Sequence, residues 1–126
     1  MSWQTYVDTN LLGSGRVSHA AILGLKGGVW ATSSGFALTP EEQRTIVSTF
    51  DAPDTAQANG IRAAGRKYFC LKADGRSVYG KQGADGIVCV KTAQCVLVCV
   101  YLSPIVPGEA NKVVESLGDY LISAGF

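Results

Sequence analysis

Histidine is almost missing from this chain: His19 is the single example among 126 residues. It precedes an apolar stretch with no Asp or Glu close by, so a triad or a histidine-bound metal would have to draw every partner from elsewhere. A structural or solvated role is therefore expected for it. No Walker loop, dinucleotide fingerprint or cluster of metal ligands occurs, and Gly80-Lys81-Gln82-Gly83 lacks the spacing that cradles phosphate, so it reads as a turn. These absences argue against an enzyme and leave no cofactor or metal to expect. No apolar run approaches the roughly 18 residues of a membrane span. The opening Met1-Ser2-Trp3-Gln4-Thr5-Tyr6 lacks the basic-then-apolar order of a signal peptide, and a cytosolic protein is expected.

What is present fits one domain over residues 1–126: 47% of the residues are hydrophobic, enough for a core without disulfide or metal help. Cys70, Cys89, Cys95 and Cys99 lie in Val/Leu/Tyr-rich runs, where a reduced thiol acts as a small hydrophobe. Cys95 and Cys99 would stand about 13 Å apart on one strand, too far to bond each other or share a zinc ion, and a cross-strand disulfide is the weaker reading. The net charge of +1 hides a skew: residues 62–91 hold seven basic side chains (Arg62, Arg66, Lys67, Lys72, Arg76, Lys81, Lys91) against Asp74 and Asp85. That stretch points to an anionic partner.

Ser2 is placed to cap a short helix carrying Trp3, Tyr6, Val7 and Leu11, with Gly13 placed to stop it. Ala20–Leu25 and Val29–Thr32 read as a hairpin around Lys26-Gly27-Gly28. Thr39-Pro40-Glu41-Glu42 has the capping residue, N1 proline and third-position glutamate of a helix start, before Ile46, Val47 and Phe50. From Arg66 onward, β-formers alternate with turn residues as an antiparallel meander: 67–73, 77–81, 87–91 and 95–101. Ala110, Val113, Val114, Leu117, Leu121 and Ala124 then give a closing amphipathic helix. Because 95–101 is apolar at nearly every position, the sheet must be covered on both faces. The fold class expected is α+β, a central antiparallel sheet between helix layers.

Trp3 and Tyr6 share a helix face, Trp30 sits in a strand, and Tyr120 and Phe126 belong to the last helix; one cluster can hold all five. Such rings commonly fill a core. They also suit a polyproline II segment, whose flat pyrrolidine faces stack on rings and whose carbonyls accept from indole N–H and phenol O–H groups.

Ser2-Trp3-Gln4-Thr5-Tyr6-Val7-Asp8, Gly28-Val29-Trp30-Ala31, Ser77-Val78-Tyr79-Gly80-Lys81 and the block 113–122 (VVESLGDYLI) come in the order and at the intervals of the profilins. Over its whole length the chain resembles the short profilins of amoebae, fungi and plants. The resemblance implies about seven antiparallel strands, with the terminal helices on one face, shorter helices on the other, and a polyproline groove lined by Trp3, Tyr6, Trp30, Tyr120 and Phe126. It implies an actin surface carried by Tyr79, Lys81, Lys91, Gly108, Asn111 and Lys112. Phosphatidylinositol bisphosphate binding is a further implication, for which Arg66, Lys67, Arg76 and Lys81 are the candidates. A monomeric cytoplasmic protein of the cytoskeleton follows, one that binds actin monomers, promotes their nucleotide exchange and links them to proline-rich partners such as formins.

Leu102-Ser103-Pro104-Ile105-Val106 departs from that pattern by being apolar beside the expected actin surface. Two other readings stay open. The aromatics would enclose a small molecule in a sensor domain, which calls for a closed cavity. Alternatively, Tyr68, Phe69 and Tyr79, interleaved with basic residues, would stack on single-stranded nucleic acid.

Overall fold

The computed structural model of the protein describes residues 2–126. Ser2 opens the first helix, its hydroxyl accepting the Thr5 amide at 3.2 Å. Helix α1 (Trp3–Thr5) continues into a π-helical stretch, Tyr6–Leu11, and one 3-10 turn, Leu12–Ser14. The stop is Gly15 rather than the expected Gly13. Gly15 takes φ +75°, a left-handed conformation that costs glycine nothing, while Gly13 lies inside the last turn.

The strands β1 (His19–Gly24), β2 (Val29–Thr32), β3 (Ile61–Ala63), β4 (Arg66–Ala73), β5 (Ser77–Gln82), β6 (Asp85–Lys91) and β7 (Cys95–Tyr101) form one sheet. Its order is β2-β1-β7-β6-β5-β4-β3, antiparallel at every pairing. The meander expected from Arg66 onward is there, with β6 beginning two residues earlier, at Asp85. Helices α2 (Pro40–Thr49) and α3 (Pro53–Asn59) precede β3, and α4 (Pro107–Ser123) closes the chain.

β7 shows why both faces are covered. Cys95, Leu97, Cys99 and Tyr101 pack toward the N-terminal helix and α4, with Val7, Leu11, Val114, Leu117 and Leu121. Val96, Val98 and Val100 face the other way, into a second core with Phe36, Ile46, Phe50 and Ala56 from the α2/α3 side. All seven β7 residues are buried, and each buried Val or Leu contributes on the order of 1.5–3 kcal/mol. The four cysteines are unpaired, three of them buried. Burial pushes the Cys89 thiol up to about 12 and that of Cys99 well above its ordinary value, which keeps both protonated and inert.

The Thr39 box forms as read. The Thr39 hydroxyl accepts the Glu42 amide at 3.1 Å while a Glu42 carboxylate oxygen accepts the Thr39 amide at 2.9 Å. The same carboxylate accepts the Ala64 and Gly65 amides at 3.1 and 3.0 Å, tying the start of α2 to the β3–β4 turn. Burial alone would raise the Glu42 pKa; the backbone amides of Gly65, Thr39 and Ala64 outweigh it and lower it. The apolar segment 102–106 is largely absorbed by packing: Leu102 lies against one core and Ile105 against the other, leaving Val106 about half exposed.

Candidate functional site

The five rings singled out in the sequence form one connected cluster. Trp3 is its hub, with ring centroids 4.8 Å from Trp30, 5.4 Å from Phe126 and 5.6 Å from Tyr6. Tyr6 in turn lies 6.3 Å from Tyr120. Every one of these distances is within the range in which tilted or edge-on rings attract. Tyr6 is buried, whereas Trp30, Tyr120 and Phe126 remain 37%, 52% and 39% exposed, so the cluster is an open, ring-lined surface and not a closed core. Burial first, and then the neighbouring Tyr120 phenol, raise the Tyr6 pKa, which leaves a neutral phenol.

Three supports that the sequence did not announce hold these rings in place. The Gln4 side-chain amide donates to the Thr32 carbonyl at 2.9 Å, fixing the N-terminal helix to β2. Gly24 makes room for the Trp30 indole: a Cβ there would lie 2.6 Å from Nε1. The Phe126 carbonyl accepts the Gln94 amide at 2.6 Å and the Thr92 hydroxyl at 2.9 Å, so the β6–β7 turn anchors the last ring. Only the chance adjacency of a glycine and a tryptophan on paired strands explains the Gly24 requirement, and pairing is invisible before the hairpin register is known.

The second candidate surface is only partly brought together. Tyr79 and Lys81 project from β5 toward the α4 side, and the Tyr79 hydroxyl donates to Glu115 of α4 in a short hydrogen bond. Burial, then Glu115, push the Tyr79 phenol up to about 12. Gly108, Asn111 and Lys112 lie within one turn of each other on α4, N-terminal to Glu115. Lys91 does not join them. It stands opposite Val96, and strand alternation sends it to the α2/α3 side with Cys89 and Ile87. A bulge between Cys70 and Lys72 places Phe69 opposite Lys81 and Lys72 opposite Tyr79, with the Lys72 ammonium 5.1 Å over the Tyr79 ring. Phe69 and Leu71 are 74% and 64% exposed and add apolar area to this surface.

Three of the four anion-binding candidates, Arg66, Lys67 and Lys81, lie at one end of the β4–β5 pair, and Arg76 stands apart. Arg66 donates to Gln82 at 2.6 Å and to Asp85 at 3.0 Å. Arg76 is held by Glu115 at 3.1 Å and Asp119 at 2.9 Å, beneath α4. Lys67 and Lys81 are left without an ion pair among the described residues. His19 stacks on Phe36 at 5.6 Å and belongs to the fold. Of the three rings considered for nucleic acid, Tyr68 is buried and Tyr79 is tied to Glu115.

A seven-stranded antiparallel sheet with its terminal helices side by side on one face, displaying an open aromatic cluster, defines a small binding domain. Its sequence profile is that of Profilin, matched over residues 1–126. The chain belongs to the profilin family. It is 56% identical over 126 residues to Profilin-1A of Acanthamoeba castellanii, with both chains fully covered. The solved structure of Acanthamoeba castellanii profilin IB superposes with a TM-score of 0.97 at 54% identity, covering 99% of this chain and 100% of that one. Mouse profilin IIa, solved in complex with a double repeat from the FH1 domain of mDia1, superposes with a TM-score of 0.82 at 25% identity, with both chains fully covered.

Proposed function

We propose that this protein is a cytoplasmic regulator of actin assembly that binds actin monomers on the β4–β5/α4 surface and proline-rich segments, of the kind found in formins, on the Trp3-centred cluster. It has no catalytic role of its own. The observation that carries the reading is the five-ring cluster: rings on the α1, β2 and α4 sides meet at one exposed surface with two phenol O–H groups at its edge. A stiff polyproline II ligand loses little entropy there, and its carbonyls are acceptors for those hydroxyls. That the mouse relative was solved with an FH1 double repeat supports a proline-rich partner for this chain. Tyr79, Lys81, Phe69, Asn111 and Lys112 form the mixed apolar and basic surface offered to actin. Lys67 and Lys81 are the cations open to a phosphoinositide headgroup, in competition with actin. The open rings do not favour an enclosed small-molecule site.

The test is capture of the purified protein on polyproline resin, with and without actin monomers, followed by flotation on vesicles containing phosphatidylinositol bisphosphate. Retention of actin only when the protein is present is the expected outcome. Failure of the protein to bind the resin would overturn the proline reading, and failure to bring actin with it would overturn the bridging role.

A further inference from the structure

Beyond the rings, the cleft between the N-terminal helix and α4 continues. It is a groove of about 560 Å³ that begins at Tyr6 and Tyr120 and runs between Asn10 and Ser14 on one wall and Lys112, Val113 and Ser116 on the other. Its lining is mostly apolar with a few donors, as peptide grooves are. Among the described residues neither the Asn10 amide nor the Ser116 hydroxyl bonds another side chain, so both donors are open to the carbonyls of a ligand that has few N–H groups of its own.

The charge at the far end is unopposed. The three carboxylates of α4 are engaged elsewhere: Glu109 with Arg16 at 2.8 Å, and Glu115 and Asp119 with Arg76. Asp8, on the N-terminal helix, accepts the Gln4 amide and does not line the groove. Lys112 is exposed and has no ion pair among the described residues. Along α4, Lys112 stands eight residues before Tyr120, about 12 Å at 1.5 Å per residue. A polyproline II segment covers that distance in about four residues at 3.1 Å each.

Building on the proline-binding reading above, we propose that this groove is a specificity subsite for the flank of a proline-rich segment, selecting an acidic residue about four positions beyond the residues stacked on Tyr6 and Tyr120. Lys112 receives its carboxylate. Prolines alone satisfy the rings; the flank decides among proline-rich partners. Because Lys112 also belongs to the surface proposed for actin, an acid-flanked segment and actin draw on the same charge.

The experiment titrates the full chain, by tryptophan fluorescence, with peptides of eight prolines that carry a glutamate or a lysine at the amino end or at the carboxyl end. At one end the glutamate peptide should bind about threefold more tightly than its lysine counterpart, as expected for an exposed ion pair, and the preference should shrink as salt is raised. In Lys112→Glu, checked for an unchanged melting curve, the preference at that same end should reverse. Equal affinity for glutamate and lysine peptides at both ends overturns the subsite while leaving proline binding standing. A glutamate preference that survives in Lys112→Glu also overturns it. If no proline peptide binds at all, the proline reading fails and the subsite falls with it.

Discussion

The ring cluster and the basic stretch at residues 62–91 both stood out in the sequence, yet the fold treats them differently. The rings keep their character on folding. Trp30 and Phe126 each pack on Trp3 and still face solvent, since stacking needs only proximity. The basic residues are redistributed: Arg76 is taken up by α4, Arg66 by Asp85, and Lys91 is turned to the opposite face. A local excess of charge is thus a poor guide to a binding surface, because carboxylates distant in sequence can cancel it.

The sharpest break of this comparison is to remove the carboxylate that absorbs the charge. Glu115→Ala leaves Arg76, the Ser77 hydroxyl and the Tyr79 hydroxyl without their shared acceptor, and should cost about 2–3 kcal/mol of stability in urea unfolding. A loss below about 0.5 kcal/mol would mean the network is surface decoration. On the ring side, Trp3→Ala should weaken proline-peptide binding at least tenfold, about 1.4 kcal/mol, with actin binding kept. Gly24→Ala, which crowds the Trp30 indole, should give a smaller loss of about fivefold in the same fluorescence titration.

Lys81 and Lys91 separate sequence charge from surface charge. Lys81→Glu should weaken actin-monomer binding about fivefold in a pelleting or anisotropy assay, while Lys91→Glu, on the other face, stays within about twofold. Equal effects would show that the actin surface wraps around the sheet. A pH-dependent effect concerns Glu42. Its lowered pKa means its contribution is fully present above the unfolded carboxylate value, about 4.3, and is lost as pH falls through the lower folded value. Urea midpoints taken from about pH 6 to about pH 3 should fall less steeply in Glu42→Gln, which should itself be destabilised by about 1 kcal/mol at neutral pH.

Much of the fold was legible because local chemistry and tertiary need agree. Thr39-Pro40-Glu41-Glu42 caps a helix in any context, and the run 95–101 has no polar face to leave uncovered. α3 and β3 went unread: within 53–59 only Ala56 is buried, so no apolar period marks that helix, and a three-residue strand is too short for alternation to register. The ring cluster was legible as a set of residue types, but its supports were not. Gly24, Gln94 and Thr92 act through pairings that cross the chain. The face that Lys91 takes was not legible for a similar reason, since the face of a strand residue changes with a one-residue difference in register.

The sheet order has a consequence for the making of the protein. β1 lies between β2 and β7, so residues 19–24 must wait for residues 95–101 before they gain their second neighbour. Such long-range pairing is slow to close and comes late. The N-terminal helix needs α4 beside it, and Trp3 needs Phe126. During synthesis the nascent chain therefore carries its first tryptophan for almost its whole length without a site to put it in. On the function proposed above, proline-rich ligands would meet a finished surface only after β7 and α4 have left the ribosome, and binding competence would report that folding is complete.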